Sequence, residues 1–254
     1  MLVPRTGDWG ARVGAILASR GALPLLAPLI AYERPEDPAR LTEALARLAS
    51  GDFDWLMVTS ATTVDALVAE GAQVPSATKI AAVGLATARA LHARGFEVAY
   101  TQQGEASAAG LVEGWQVAVG GTGSVRALVL RSDLAPTTVS DGLAAFGHQV
   151  HTAVAYSTVS PELDPALVED LRSGRVHAAL ITSGSVARAL ASWAAPLPAA
   201  LVLASIGPRT TAEAAEAGLT VHVTSPARDV ESLILALEDY AGSQASDKGE
   251  VLAP

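Results

Sequence analysis

The stretch DWLMVTSATTV at residues 54–64 has a close counterpart in HAALITSGSV at residues 177–186. In both stretches a run of apolar residues ends at a Thr-Ser pair. Thr and Ser favour the first position of a helix, so this pair marks the point where a buried strand leads into a helix. The same strand-to-helix signal therefore occurs twice in one chain of 254 residues.

The residues that follow each Thr-Ser pair repeat at equal intervals. Gly84 lies 24 residues after Ser60, and Gly207 lies 24 residues after Ser183. Each of these glycines is followed by a threonine after three residues and by a second glycine after eleven. Agreement at several positions indicates a duplicated structural unit.

A second pair of segments, residues 2–32 and 128–156, repeats with a slightly different offset. The matched pairs are Arg5 with Arg131, Gly21 with Gly147, and Tyr32 with Tyr156. The chain is thus predicted to contain two copies of one unit of roughly 125 residues.

Short apolar runs alternate along the chain with amphipathic segments. In PARLTEALARLASG, for example, Pro38 suits the first turn of a helix and Gly51 suits its C-terminal end. Strands that are apolar throughout belong in parallel sheets with helices on both faces. The predicted fold class is therefore α/β, with two similar flavodoxin-like parallel-sheet domains.

The domain boundaries follow from two polar, proline-marked stretches, LIAYERPEDP and VAYSTVSPELDP. Two linkers imply that the chain crosses twice between the domains, so we predict an inserted domain and an extended two-segment linker with a cleft between the domains. The predicted parts are domain 1 at 1–30 plus 160–242, domain 2 at 37–152, linkers at 31–36 and 153–159, and a disordered polar tail at 243–254.

Composition excludes several classes of protein. Half of the residues are hydrophobic and only 17% are charged, which excludes general disorder. The net charge of −9 argues against nucleic-acid binding, and no apolar run is long enough for a membrane span. No secretory signal is expected, because no basic start precedes a suitable apolar stretch. With no cysteine present, disulfides and thiolate chemistry are excluded, and a cytoplasmic location is expected.

The repeated Ser, Thr and Gly positions are the candidate functional residues. Ligands of open parallel sheets bind beyond the carboxyl ends of the strands, where helix N-termini favour anions. The hydroxyl groups and glycines at these ends would then line a polar ligand site. Alternatively, these residues only cap helices.

Three other patterns carry less information. GGTGSV at 120–125 precedes a strand instead of following one, so it indicates a turn and not a phosphate loop. His148 and His151 are three residues apart on a predicted strand and should face opposite sides, which disfavours a shared metal. No G-x-S-x-G motif occurs.

An ordered set of motifs resembles the uroporphyrinogen-III synthase family over about residues 2–235. The motifs are LVPRTG, DWLMVTS, AVGLATA, AYST, the second Thr-Ser pair and SIGPRT. The family's two-domain fold with a bipartite linker agrees with the organisation deduced above. This sequence departs from the family where PRT replaces the usual TRP phrase, and where the loop after Arg131 lacks a further basic residue.

The resemblance implies an enzyme of the lyase class. It would close hydroxymethylbilane, a linear tetrapyrrole with eight carboxylates, into uroporphyrinogen III with inversion of ring D and loss of water, in tetrapyrrole biosynthesis. No cofactor and no metal are implied. The expected partner is this small substrate, and the chain is expected to act as a monomer that transiently contacts the enzyme supplying hydroxymethylbilane.

The resemblance also implies roles for particular residues. Tyr156 corresponds to the linker tyrosine of the family and would donate a hydrogen bond to the departing hydroxide; alternatively, its ring only packs against one domain. Tyr32, its counterpart, is expected to be structural. Arg5 and Arg131 would bind carboxylates, or else bridge to a neighbouring Asp. The other implied substrate contacts are Ser60, Thr62, Thr87, Ser183, Gly184 and Thr210.

Two other functions remain open from the residues alone. A two-domain hinge protein could clamp a small carboxylate without transforming it, although such proteins are normally exported. A nucleotide-dependent transferase would need a phosphate-binding fingerprint, which this sequence lacks.

Overall fold

A computed structural model describes residues 1–102, 107–119, 123–194 and 196–250. The chain divides into two compact units: unit 1 comprises Met1–Ala31 with Val159–Pro254, and unit 2 comprises Tyr32–Thr158. The glycine-rich residues 120–122 and the last residues, 251–254, lie outside the described part of the chain.

Strands and helices alternate through the described residues. The elements up to the middle of the chain are β1 (Leu2–Val3), α1 (Gly7–Ser19), β2 (Leu25–Leu26), β3 (Ala31–Glu33), α2 (Pro38–Ala49), β4 (Trp55–Val58), α3 (Ala61–Ala69), β5 (Lys79–Ala82), α4 (Leu85–Ala93), β6 (Tyr100–Thr101) and α5 (Ala108–Val119). They are followed by β7 (Arg126–Ser132), α6 (Thr138–Ala145), β8 (Gln149–Val159), α7 (Pro165–Arg172), β9 (Ala178–Ile181), α8 (Gly184–Ala194), β10 (Val202–Ser205), α9 (Pro208–Glu216), β11 (Val223–Thr224) and α10 (Val230–Glu250).

Among the described residues each unit contains one sheet, and the five strands of the repeat have the same order in both, while unit 2 adds β3 at one edge. Unit 1 has the order β11-β10-β9-β1-β2, with every described pairing parallel. Unit 2 has the order β3-β8-β7-β4-β5-β6, in which the pairings from β8 to β6 are parallel. The α/β class with parallel sheets is therefore confirmed.

The sequence repeats correspond to equivalent strands of the two sheets. β4, β5 and β6 match β9, β10 and β11, while β7 and β8 match β1 and β2. Numbered within the repeat, both sheets have the flavodoxin-like order 2-1-3-4-5. In unit 1 the strands β1 and β2 come before all of unit 2 in the chain, so unit 1 is a circular permutation of unit 2.

Alternating side chains give each sheet two buried faces. In β4, Leu56 and Val58 pack with α2, α3 and α4, whereas Trp55 and Met57 pack with α5 and α6. Unit 1 is built the same way, with one core cluster against α7, α8 and α9 and another against α1 and α10. The helices on both faces leave only the ends of the strands for a ligand.

Prolines and glycines mark helix ends as the sequence predicts. α2 begins at Pro38, its Asp37 side chain accepts a hydrogen bond from the backbone N–H of Arg40 (3.4 Å), and Gly51 after it has φ +81°. α9 likewise begins at a proline, Pro208. These local signals place the helix N-termini at the carboxyl ends of the strands.

Half of the first predicted linker and all of the second lie in strands. Residues 31–33 form β3, and residues 153–159 are the second half of β8, which pairs with β3 in the sheet of unit 2. The segment predicted as a disordered tail begins within α10, which spans Val230–Glu250. Among the described helices, none has both the length and the apolar character of a membrane span.

A carboxylate at the opposite, amino end of β4 ties two strands of unit 2 together. Asp54 accepts hydrogen bonds from the backbone N–H of Arg126 (2.8 Å) and from its Nη2 (3.1 Å). The hydrogen bond from the guanidinium, followed by that from the backbone N–H, lowers the pKa of Asp54. A lowered folded pKa stabilises the protein above the unfolded value of about 4, and this stabilisation is lost as the pH falls through the folded pKa.

We therefore expect Asp54→Asn to lower the free energy of unfolding at pH 7 by less than about 1 kcal/mol, because both side chains are nearly half exposed. The difference from the parent protein should shrink as the pH falls below about 4. Urea unfolding of both proteins at pH 7 and pH 3 measures this. A difference that is the same at both pH values would show that the charge of Asp54 contributes nothing.

Candidate active site

The carboxyl end of β4 in unit 2 carries a network of hydroxyl groups. Ser60 precedes α3, and its Oγ accepts a hydrogen bond from the backbone N–H of Thr63 (3.1 Å), as an N-cap does. The same Oγ lies 2.9 Å from Thr63 Oγ1 and 3.2 Å from Tyr156 Oη. Thr59 Oγ1 donates to the carbonyl of Leu130 (3.1 Å), which holds the end of β4 against β7. Ser60 is thus a helix cap that also contacts the predicted catalytic tyrosine.

Tyr156 lies on β8 with its ring half buried. Its ring packs edge-on against Tyr32, with centroids 5.2 Å apart and an interplanar angle of 79°. Both tyrosines and Thr62 line a pocket of about 280 Å³ within unit 2. Glu70 forms one wall of this pocket, held by a two-point ion pair with Arg34 at 2.8 and 2.7 Å. The structure therefore brings Ser60, Thr62 and Tyr156 together.

Thr87 belongs to the neighbouring turn of unit 2 but is covered by the protein. It lies in the first turn of α4, and only 3% of it is exposed. Gly84 before it has φ +81°, a conformation that glycine adopts without strain. The exposed residues of this turn are Leu85 and Ala86 instead. Thr87 therefore has the environment of a packed residue.

Arg131 is placed where the sequence predicts, at the carboxyl end of β7, but its guanidinium is turned towards its own loop. Its Nη1 donates to the backbone carbonyls of Ser132 (3.1 Å), Asp133 (3.3 Å) and Ala135 (2.5 Å). Its Nε is buried and makes no hydrogen bond. In this arrangement Arg131 organises the loop between β7 and α6.

In unit 1 the second Thr-Ser pair has the same local structure as the first. Ser183 Oγ accepts a hydrogen bond from the backbone N–H of Val186 (3.3 Å) at the beginning of α8. Gly184 is buried, and a Cβ there would overlap the carboxylate of Glu213 on α9. Glu213 also pairs with Arg209 at 3.0 Å. A carboxylate of the protein itself therefore lies beside the N-terminus of α8.

The remaining predicted residues of unit 1 are Thr210 and Arg5. Thr210 lies in the first turn of α9 and is 8% exposed, so it resembles Thr87. Arg5 is half buried, and its guanidinium lies 5.3 Å from the ring centroid of Trp9, within the range of a cation–π interaction.

A group of three hydroxyls in unit 1 was not predicted. Thr211 Oγ1 lies 2.6 Å from Ser205 Oγ and 2.8 Å from Thr224 Oγ1, and the three residues join the ends of β10 and β11 to the first turn of α9. The repeat could not reveal them, because the counterparts of Ser205 and Thr211 in unit 2 are Ala82 and Ala88. The counterpart of Thr224 is Thr101, whose buried Oγ1 accordingly has no hydrogen-bond partner.

The chemistry of these groups is that of hydrogen bonding. The polar side chains at the carboxyl ends of both sheets are mostly hydroxyls, with Arg5 and Arg131 as the predicted cations. Within the described residues, no group of three or more His, Asp or Glu is placed to hold a metal ion. Such an arrangement can bind an anion or orient a polar substrate.

Comparison with known proteins places this arrangement in context. The family model described as uroporphyrinogen-III synthase HemD matches residues 11–235. A uroporphyrinogen-III synthase of Synechococcus elongatus is 30% identical over 260 residues, covering 95% of each chain.

Two solved structures have a similar fold. A mutant uroporphyrinogen III synthase of Thermus thermophilus has a TM-score of 0.66 at 18% identity, covering 95% of this chain and 98% of the other. A uroporphyrinogen-III synthetase of Helicobacter pylori has a TM-score of 0.62 at 19% identity, covering 85% and 92%. At these identities the likeness concerns the fold alone.

Proposed function

Because this chain belongs to the uroporphyrinogen-III synthase family, we propose that it cyclises hydroxymethylbilane to uroporphyrinogen III. The single observation within the site that best supports this is the contact between Tyr156 Oη and Ser60 Oγ, 3.2 Å apart at the carboxyl end of β4. A phenol held by hydrogen bonding beside a pocket suits a reaction that needs a mild proton donor and a fixed geometry.

The reaction begins with loss of the hydroxyl group of hydroxymethylbilane. The C–O bond breaks, the departing hydroxide takes a proton and leaves as water, and the pyrrole nitrogen stabilises the resulting azafulvene. The substrate therefore supplies most of the electronic driving force. The enzyme has to direct the attack to the substituted carbon of ring D, which gives a spiro intermediate, because attack at the free carbon gives the symmetrical isomer. The enzyme's main contribution is therefore to hold the reacting carbon atoms of the substrate in the orientation that leads to the spiro intermediate.

Tyr156 is the proposed proton donor. A tyrosine hydroxyl can donate one hydrogen bond while it accepts another. When Ser60 donates its hydroxyl hydrogen to Tyr156 Oη, the phenol hydrogen is directed away from Ser60 and stays available to the departing hydroxide. The same hydrogen bond would stabilise negative charge on the phenol oxygen as the proton leaves. Ser60 is thus proposed to orient Tyr156.

The carboxylates of the substrate need several weak contacts, since the protein carries a net charge of −9. In unit 2 the N-termini of α3 and α4 follow β4 and β5, and in unit 1 those of α8 and α9 follow β9 and β10. A helix N-terminus contributes about 0.3–1 kcal/mol to binding an anion, and a hydrogen bond to a charged group adds roughly 1.5–3 kcal/mol. A few such contacts reach the ~8 kcal/mol of micromolar binding before ordering costs.

The predicted substrate-binding residues differ in exposure, and we propose different roles for the partly exposed and the buried ones. We propose that Ser60, Thr62 and Ser183 contact the substrate through their hydroxyl groups, and that Arg5 binds a carboxylate. Thr87, Thr210 and Gly184 are buried, so their proposed contribution is to shape the turns whose backbone N–H groups bind the substrate. Arg131 is proposed to act through its loop.

The chain is further proposed to act as a monomer in the cytoplasm and to receive hydroxymethylbilane from a transient contact with the enzyme that makes it. Spontaneous closure of this substrate gives the wrong isomer, so a short transfer time favours the correct product. Sedimentation velocity at micromolar concentration tests the monomer, and a dimer at that concentration would contradict it.

The experiment that tests the function supplies freshly made hydroxymethylbilane to the purified protein. After oxidation, the porphyrin isomers are separated and quantified. We expect the type III isomer in clear excess over the type I isomer that forms spontaneously. Type I alone, at the rate seen without protein, would reject the proposed function and would leave a hinge-type carboxylate binder as the better description.

A further inference from the structure

The parallel pairing of β7 and β8 is interrupted next to Tyr156. The two strands are in register from Arg126 opposite Gln149 up to Arg131 opposite Val154, but the next residue, Ser132, pairs with Tyr156. Ala155 is therefore an extra residue in β8, as in a β-bulge. Bulges bend a strand and change the direction of the side chains that follow them.

This bulge decides which face of the sheet Tyr156 occupies. In a regular strand, side chains two apart point to the same face, so Tyr156 would share the face of Val150, which packs with the α5 and α6 cluster. Instead, Tyr156 packs with Ala153 and Ala155 in the cluster formed by α2, α3 and α4. Only on this face can its hydroxyl reach Ser60 at the beginning of α3.

Asp133 holds the strand on the far side of the bulge. Its backbone N–H donates to the carbonyl of Tyr156 (3.2 Å), and its Oδ1 accepts a hydrogen bond from the backbone N–H of Thr158 (3.0 Å). Asp133 thus bonds to the backbone groups on both sides of residue 157, the carbonyl of Tyr156 and the N–H of Thr158. These hydrogen bonds replace the regular strand pairing that ends at Ser132.

The loop that carries Asp133 is itself held by Arg131. Because one Nη1 donates to the carbonyls of Ser132, Asp133 and Ala135, the backbone around Asp133 is fixed on both sides. A chain of contacts thus connects Arg131 to Asp133, and Asp133 to the backbone at Tyr156.

We propose that Asp133 is a positioning residue: with the bulge at Ala155, it orients Tyr156 so that the phenol hydroxyl lies against Ser60. The consequence for catalysis rests on the proposed function of Tyr156, whereas the orientation itself does not. The carboxylate of Asp133 contacts a backbone N–H of β8, so its effect on the reaction passes through the strand. The proposed role requires an oxygen atom that accepts the hydrogen bond from the backbone N–H of Thr158, and it does not require a negative charge on that oxygen.

The test uses the whole protein labelled with 3-fluorotyrosine. The chain has four tyrosines, so four fluorine resonances are expected, and Tyr→Phe variants assign them. Asp133→Ala removes the acceptor and should shift or broaden the resonance of Tyr156, leaving those of Tyr100 and Tyr240 in place. Asp133→Asn keeps an acceptor oxygen and should leave all four unchanged. Glu97→Ala, which removes another exposed carboxylate of unit 2, is the matched control.

Kinetics on the same variants separates this proposal from the proposed function. We expect Asp133→Ala to lower kcat roughly 10-fold with little change in KM, and Asp133→Asn to retain the parent rate. If the Tyr156 resonance moves but kcat does not, the orientation by Asp133 stands and the catalytic role of Tyr156 is wrong. If the resonance does not move, the positioning role is wrong, whatever the rate.

A second variant covers the case in which the alanine protein does not fold. Asp133→Glu keeps the charge and displaces the acceptor by one methylene group. It should move the Tyr156 resonance in the same way, with the Tyr100 and Tyr240 resonances reporting an intact fold. A Tyr156 resonance that stays in place in folded Asp133→Glu overturns the proposal.

Discussion

Replacing Tyr156 with phenylalanine is expected to lower the turnover of hydroxymethylbilane to the type III isomer about 100-fold. A positioned proton donor typically contributes 10²–10⁴-fold to a rate, and the substrate's own pyrrole nitrogen places this reaction at the lower end of that range. The free energy of unfolding should fall by no more than about 1 kcal/mol, because one hydrogen bond of a half-buried hydroxyl is lost while the ring keeps its packing against Tyr32.

The measurement is the initial rate of type III formation together with thermal unfolding of the same sample. Tyr240→Phe is the matched control, since Tyr240 lies on α10 in unit 1 and packs near His222. It should leave the rate unchanged. A Tyr156→Phe protein with the parent rate would reduce Tyr156 to a packing residue, which is the alternative that the sequence leaves open.

Gly10→Ala should destabilise the protein by about 3 kcal/mol, the upper end of the usual cost of overpacking. Gly10 lies on α1, and a Cβ there would lie 3.0 Å from the carbonyl carbon of Arg5 and still closer to its oxygen. These are backbone atoms at the end of β1, so no side-chain rotation relieves the overlap. Either α1 moves away from the sheet, or the backbone around Arg5 shifts.

Gly14→Ala provides a control on the same face of the same helix. There the nearest atom to an added Cβ is Leu26 Cδ2 at 3.4 Å, an ordinary van der Waals distance. Because alanine favours a helix over glycine by about 1 kcal/mol, this change should be neutral or stabilising. Urea unfolding of the three proteins measures both effects. Equal stabilities of the Gly10 and Gly14 variants would show that α1 can move without cost.

The equivalence of strands between the two units could be predicted because the sequence repeats. Equal spacings after Ser60 and Ser183 assign three strands of each unit, and the second offset assigns the other two. Pro38 and Gly51 are a helix start signal and a helix stop signal, and they predicted the ends of α2 correctly. These features depend on residues close in sequence, where backbone preferences and hydrophobic periodicity act directly.

The candidate site was predicted less completely because its contacts depend on distant residues. The repeat selected Thr210, whereas the hydroxyl that joins β10 to β11 belongs to its neighbour Thr211. A repeat reveals only what both copies share, and this group of hydroxyls is present in one unit alone. Arg131 was placed on the correct strand, but its choice of loop carbonyls depends on the path of the loop, which the sequence does not reveal.

The sequence by itself determined the duplicated α/β architecture and the family, and it assigned Tyr156 to a predicted linker. Only the tertiary structure decided that Tyr156 lies on the α3 face of its sheet, because a single extra residue, Ala155, reverses the alternation of side chains after it. A strand pattern has a period of two, so a shift by one residue moves a side chain to the other face. The sequence predicts a linker here, whereas the strand and its bulge are set by pairing with β7 and by the hydrogen bonds of Asp133.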